Sequence, residues 1–257
     1  MRVQAAARSR VRATVAYDGS GFAGFWPNPG VRTVGGLLVE AIEKVLGLGI
    51  ELTCAGRTDA GVHASGQVIS FDAAPDADLR RLQRAVNRMI GPEVVLREVE
   101  VADPQFDARH AAVARTYRYT ILNRSEPDPF SAATAWYVPV PLDLRALRAG
   151  TDPLIGEHDF SSFCRRPKPG PDGAEVSLSR RVLSAEWVDL GEGVLRFDVS
   201  ATSFCHQMVR SLVATLVDVG RGKRTPADVM ALLRAKDRSG APTPAPPHGL
   251  NLWHVRY

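Results

Sequence analysis

Three glycines, Gly56, Gly61 and Gly66, separate two short β-patterned runs, Glu51–Ala55 and Gln67–Phe71, and constrain the fold more than any other feature of the chain. Two strands on either side of a glycine-rich connection hold that connection on a rigid frame. It reads Ala55-Gly56-Arg57-Thr58-Asp59-Ala60-Gly61-Val62-His63-Ala64, so an arginine and an aspartate stand two residues apart. Such an aspartate either accepts neighbouring backbone N–H groups as a turn residue or faces a ligand. The loop alone leaves both readings open.

The rest of the chain alternates strand and helix. Val11–Tyr17 reads as a strand, and Thr33 caps a helix whose apolar positions Leu37, Leu38, Ile42, Val45 and Leu46 end near Gly47. Asp76 is expected to cap a second helix through Leu79, Leu82, Val86 and Met89, followed by a strand over Glu93–Val101. A second set begins with the strand Arg115–Leu122, a short helix near Asp143–Arg148, and strands near Val182–Val188 and Val194–Val199. Ser203 is expected to open a helix with a Phe204, Met208, Leu212, Leu216 stripe toward the core. Thr225-Pro226 starts the last helix, and the proline-rich stretch Ala241–Gly249 is a stiff connector to a final strand around Leu250–Val255. The order of elements roughly recurs, which suggests an N-terminal α/β domain over residues 1–108 and a C-terminal one over 109–257.

At 257 residues the chain can bury a sizeable core, and 45% hydrophobic with 23% charged residues is ordinary for a globular protein. No apolar run approaches a membrane span, and Met1–Arg10 is basic without an apolar core, so a cytoplasmic protein with a short loose leader is expected. Cys54, Cys164 and Cys205 form no CxxC pair, zinc pattern or even disulfide framework, so the expectation is small buried residues in a reducing compartment. Net charge is +4. Of the 32 basic residues only Lys44, Lys168, Lys223 and Lys236 are lysines. The arginines that make up the rest suit phosphate and stack on bases, although a GC-rich coding bias would enrich them too.

Gly19-Ser20-Gly21-Phe22-Ala23-Gly24 matches a dinucleotide fingerprint, but Pro27 and Pro29 forbid the helix that such a site requires; the stretch reads as a loop with exposed aromatics. The six histidines show no metal spacing, so no metal is expected. A Ser/His/Asp set can be drawn from Ser65 or Ser161, His158 and Asp159, yet no GxSxG elbow supports it. His206 and Arg210 fall one helical turn apart, facing a ligand or solvent. Arg109 after Phe106-Asp107-Ala108, the strand Arg115–Arg118 with Tyr117, and the loop Arg165-Arg166-Pro167-Lys168 interleave basic with aromatic residues, a pattern that suits phosphates and a splayed base. A sheet edge with surface arginines would look the same.

Taken together, these segments resemble the TruA family of tRNA pseudouridine synthases nearly end to end. The resemblance is carried by Tyr17-Asp18-Gly19 with Phe22–Phe25, the Gly56–His63 string, Phe106–Arg109, Tyr117-Arg118-Tyr119, Gly156–Phe160, Phe204–Arg210 and Ala235–Arg238. It implies an α+β fold of two similar domains, with antiparallel or mixed sheets flanked by helices and an active-site cleft between them. It further implies a homodimer, tRNA as partner, no metal or organic cofactor, and isomerisation of uridine at positions 38 to 40 of the anticodon stem-loop. By the same resemblance Asp59 matches the catalytic aspartate, which adds to C1' or C6 or stabilises a sugar cation. Arg57 matches the arginine that fills the space left by the flipped base and holds phosphate, and Tyr117 the tyrosine that stacks on that base. Arg210 matches an arginine near the carboxylate, His206 and Phe204 match pocket residues, and Leu250 an apolar wall. Two positions depart from the family pattern: Trp26-Pro27-Asn28-Pro29 replaces glutamine-rich sequence, and Gly35 replaces a glutamine. The rival reading is a catalytically silent RNA-binding protein on the same fold; a nucleotide-dependent oxidoreductase rests only on the failed glycine fingerprint.

Overall fold

The chain is described from a computed structural model over residues 8–166 and 176–257. It divides into two compact units, one of Met1–Ala112 with Leu252–Tyr257, the other of Val113–Asn251. Among the described residues no helix is long and apolar enough to cross a membrane.

In the first unit, β1 (Ser9–Tyr17) is followed by α1 (Val34–Leu46), β2 (Thr53–Cys54), β3 (His63–Ala73), α2 (Leu79–Ile90) and β4 (Val94–Val101). The strands pair antiparallel in the order β4–β1–β3, with β2 on β3. Alternation along β1 buries Val11, Ala13, Val15 and Tyr17. Leu38 and Ile42 of α1 and Leu82 and Val86 of α2 are fully or almost fully buried, and each such side chain contributes about 1.5–3 kcal/mol by leaving water. Thr33 caps α1 as expected, its hydroxyl accepting from Gly36 N–H at 3.2 Å. The helix ends at Gly47, whose φ of 69° is the left-handed conformation a C-cap glycine supplies.

The second unit contains β5 (Ala114–Leu122), β6 (Trp136–Tyr137), α3 (Leu144–Thr151), β7 (Gly156–Asp159), β8 (Ser179–Asp189), β9 (Val194–Ala201), α4 (Met208–Gly220) and α5 (Pro226–Ala235). Its antiparallel order is β5–β9–β8–β7, and β6 adds a short parallel pair with β5. Helix α4 is buried along nearly its whole length. Asp143 caps α3 through Arg145 N–H at 2.8 Å and Ala146 N–H at 3.2 Å. Trp187 on β8 donates its indole N–H to Thr151 at 3.1 Å and so fastens that helix to the sheet. The last strand, β10 (Leu250–Arg256), starts in this unit and supplies Leu252 onward to the first. The class is α+β, with mixed strand pairing and flanking helices.

Several local expectations are corrected. Ser9 and Arg10 belong to β1, while the rest of the expected leader as far as Ala7 lies outside the described residues, as do Pro167 and Lys168. Asp78, not Asp76, caps α2 through Arg81 N–H at 2.8 Å. The buried stripe of α2 then runs Leu82, Val86, Ile90 at four-residue spacing, leaving Met89 exposed. Helix α4 begins at Met208 rather than Ser203 because Gln207 adopts a left-handed φ of 66°, which breaks the helical path. Phe22 and Phe25 are buried, so Trp26 alone keeps the expected aromatic exposure in that loop. Cys164 and Cys205 are joined in a disulfide with Cα atoms 5.7 Å apart, while Cys54 is free and buried. The pairing joins positions 41 residues apart in sequence, and no local pattern announces it. Arg165 N–H donates to His206 C=O at 2.9 Å beside it, tying the same two segments through their backbones.

Gly66 on β3 is required by close approach: a Cβ there would lie 2.3 Å from the Trp253 carbonyl oxygen, against backbone that has no room to yield. Gly66→Ala is expected to destabilise the protein by about 1–3 kcal/mol, read as a lowered urea midpoint with an unchanged slope.

Candidate active site

The glycine-rich loop grows from the end of β2. Thr53 and Cys54 pair with Ser70 and Ile69 of β3, and Ala55 N–H extends the ladder to Val68 C=O at 2.9 Å. Here the buried side chain of Gln67 takes over. Its Nε2 donates to Gly56 C=O at 2.6 Å, while its Oε1 accepts from Gly56 N–H at 3.3 Å and Val68 N–H at 3.2 Å. One residue later Arg57 is exposed, with Cζ 4.2 Å from the centroid of the Trp26 ring.

Thr58 turns back into the core. Its hydroxyl shares a buried hydrogen bond with Tyr17 Oη at 2.7 Å, and its carbonyl accepts from Phe25 N–H at 3.1 Å. Asp59 follows, half-buried, and its carbonyl accepts from Val62 N–H at 3.2 Å to close a turn that Gly61, at φ 76°, completes. Gly24 has a φ of 98°, and a Cβ on it would stand 3.0 Å from the Thr58 oxygen. The loop that carries Phe22–Trp26 therefore lies directly against the Asp59 loop. At its far end, buried His63 places Nδ1 3.1 Å from Gly19 N and 3.1 Å from Asp18 Oδ1.

Arg109 lies in the same unit, on a separate turn. Asp107 Oδ1 accepts from Arg109 N–H at 2.8 Å and His110 N–H at 2.7 Å, which forms the turn that presents Arg109 to solvent. Ser70 Oγ accepts from Ala108 N–H at 3.1 Å and Tyr257 Oη donates to Ala108 C=O at 2.8 Å, so the turn is fixed to β3. Burial pushes the Cys54 thiol up to about 11 against the opposing pull of Arg57 and Arg109. Arg57, Asp59 and Arg109 all belong to the first unit. The raised value keeps Cys54 a protonated thiol at neutrality, not a nucleophile.

The remaining candidates lie in the second unit. Tyr117 on β5 is mostly buried and meets Phe204 edge to face, with ring centroids 5.0 Å apart at 87°. Phe204 and His206 sit in the loop before α4 rather than on a helix; His206 is exposed. Arg210, in the first turn of α4, donates from Nε to Ala245 C=O at 2.7 Å, and Ala245 N–H returns a bond to Arg210 C=O at 3.0 Å. The next residue, Pro246, accepts from Tyr119 Oη at 2.8 Å. Burial raises the Tyr119 hydroxyl far above its ordinary value while Arg210 pulls it down, so Tyr119 stays a neutral donor that fixes this segment. Leu250, at the start of β10, is buried. Among the described residues no group of three His, Cys, Asp or Glu side chains could hold a metal ion.

A family model described as tRNA pseudouridine synthase matches residues 152–257. A protein named tRNA pseudouridine synthase A from a Geobacillus species is 38% identical over 251 residues, covering 96% of this chain and 98% of its own. The proteins of that name from Bacillus subtilis and Frankia casuarinae are 36% and 42% identical, again over 96% of this chain and over 99% and 89% of their own. The chain belongs to the tRNA pseudouridine synthase A family. It is therefore a member of an isomerase family that modifies tRNA.

Within this synthase, sequence reading missed the residues that hold the loop. Tyr17 bonds the Thr58 side chain, Gln67 the Gly56 backbone, and Ser70 and Tyr257 the backbone of Ala108 beside Arg109. A signal was present for one: Gln67 is a long polar residue beside the apolar pair Val68-Ile69 of β3, and it is fully buried. Replacing it should expose the dependence. Gln67→Leu leaves the Gly56 N–H and C=O without the amide, and is expected to cost about 1–3 kcal/mol in urea unfolding, whereas Gln83→Leu, which removes one half-buried bond to a Leu96 carbonyl that Asn87 also bonds, should cost less.

Proposed function

We propose that this enzyme converts uridine to pseudouridine at positions 38, 39 and 40 in the anticodon stem-loop of tRNA, with Asp59 as the nucleophile. One observation carries the reading: Asp59 stands on a loop whose preceding residues are clamped by Gln67 and Tyr17, next to an arginine that remains exposed. A turn aspartate needs no such frame; a group that must meet a reacting carbon does.

The isomerisation breaks the N1–C1' bond, turns the uracil and joins C5 to C1'; the C5 proton is lost and N1 regains one. In this reading Asp59 attacks directly as a carboxylate nucleophile. In this reading Arg57 holds phosphate and fills the space of the extruded nucleotide, and Arg109 adds phosphate contact. Tyr117 stacks on the uracil, held by Phe204, and assists removal of the C5 proton. Arg210 and His206 contribute polar contacts and Leu250 an apolar wall. Extruding the base costs a few kcal/mol, which stacking and phosphate contacts offset. We place the enzyme in the cytoplasm, acting as a homodimer without metal or organic cofactor.

The test uses tRNA tritiated at uracil C5. Wild type should release tritium to water, and Asp59→Ala should release none above background while still binding tRNA. Binding without release by wild type would leave only the silent RNA-binding reading. Because phosphates are expected to carry the affinity, log K against log salt should fall steeply, and Arg57→Ala should reduce that slope by about 1.

A further inference from the structure

Both departures from the family pattern, the Trp26-Pro27 sequence and Gly35, fall in one place in the structure. Phe25 C=O accepts from Gly35 N–H at 2.7 Å at the start of α1. A Cβ on Gly35 would lie 2.6 Å from that oxygen and 3.2 Å from Pro27 Cδ. A larger residue at position 35 would thus displace the Phe25–Pro27 segment, and glycine lets it seat against α1. On its other side the segment is bonded to the Asp59 loop through Phe25 N–H and Thr58 C=O, at 3.1 Å. Trp26 and Arg57 are the residues next to these two bonded positions, and they meet with Arg57 Cζ 4.2 Å from the indole centroid.

We propose that Trp26 is a positioning residue for Arg57, holding its guanidinium over the indole so that the arginine meets a substrate phosphate already oriented. A guanidinium carries its N–H donors in its own plane, and attraction to an aromatic face uses the charge without consuming a donor. An ion pair would do the opposite, occupying the fork and neutralising the charge. The stacked arrangement removes rotamer freedom from a long exposed side chain before RNA arrives, and preorganisation of this kind strengthens binding without adding a contact to the ligand. Trp26 is 44% exposed, so its indole is anchored by its neighbours rather than by burial, and replacing it should leave the core intact. Its partner is the phosphate backbone of the substrate tRNA, reached through Arg57, so the inference rests on the phosphate-holding role proposed for that residue.

The experiment is a double-mutant cycle on the full-length protein, with tRNA affinity measured by filter binding and turnover by tritium release. Trp26→Leu is expected to weaken tRNA binding and raise KM by about threefold to fivefold with kcat nearly unchanged. Trp26→Phe, which keeps an aromatic face, should recover most of that loss. In an Arg57→Ala background Trp26→Leu should have no further effect. Melting temperatures of the single variants should match wild type within error. Equal losses from Trp26→Leu with and without Arg57 would overturn the inference, as would full activity and affinity of Trp26→Leu, or a Trp26→Phe variant as impaired as the leucine one. Failure of the catalytic reading is seen separately: a wild-type protein that binds tRNA yet releases no tritium removes the isomerase proposal, while the binding cycle still decides the role of Trp26.

Discussion

The Gln67 amide holds Gly56 by both its N–H and its C=O, and the geometry of the whole candidate site follows from that contact. An antiparallel ladder would ordinarily pair those backbone groups with another strand. Here β2 stops after two residues, and a side chain takes the place of the missing strand. Because Gln67 is fully buried on β3, the clamp shares the rigidity of the sheet, and buried backbone groups left unpaired would be costly. The loop can therefore leave the sheet sharply at Gly56 without becoming mobile. Tyr17 from β1 repeats the device one turn later through Thr58, so that two neighbouring strands hold the two residues that flank Arg57.

The loop so fixed does not stand alone. Phe22–Trp26 packs on it through Gly24, Phe25 and Gly61, with backbone bonds on both sides of Asp59. The Phe106–Arg109 turn approaches from the far end of β3 through Ser70 and Tyr257. Arg57, Asp59 and Arg109 thus stand on loops of one unit whose neighbouring backbone is held by hydrogen bonds from other segments. That arrangement suits the proposed function: the frame sets where charge is presented to a polyanion.

Much of this was legible in the sequence where the signal was local. Thr33 and Asp143 announced helix starts, Gly47 a helix end, and alternation at Val11, Ala13 and Val15 a half-buried strand. The Gly-Arg-Thr-Asp string together with the segments around it was enough for a family resemblance that the curated relatives support over 96% of the chain. Local reading failed where tertiary contacts override propensity. The Phe204–Leu216 stripe has helical spacing, yet Gln207 is left-handed and the helix starts only at Met208, because the preceding loop is tied through Arg165 and Cys164. Phe22 and Phe25 look like exposed loop aromatics until the loop is seen to fold under the Asp59 turn.

By itself the sequence determined most of the longer elements, since periodicity, caps and glycine spacing act within a few residues, and its motifs carried the family resemblance and with it the α+β class. Only the tertiary structure decided which groups support the Asp59 loop and what Trp26 touches. Those contacts join positions such as Tyr17 and Thr58, or Arg57 and Trp26, that are brought together by strand pairing and loop packing. Hydrogen bonds and cation–π contacts of that range depend on side chains meeting in space, and no pattern of neighbours along the chain encodes them.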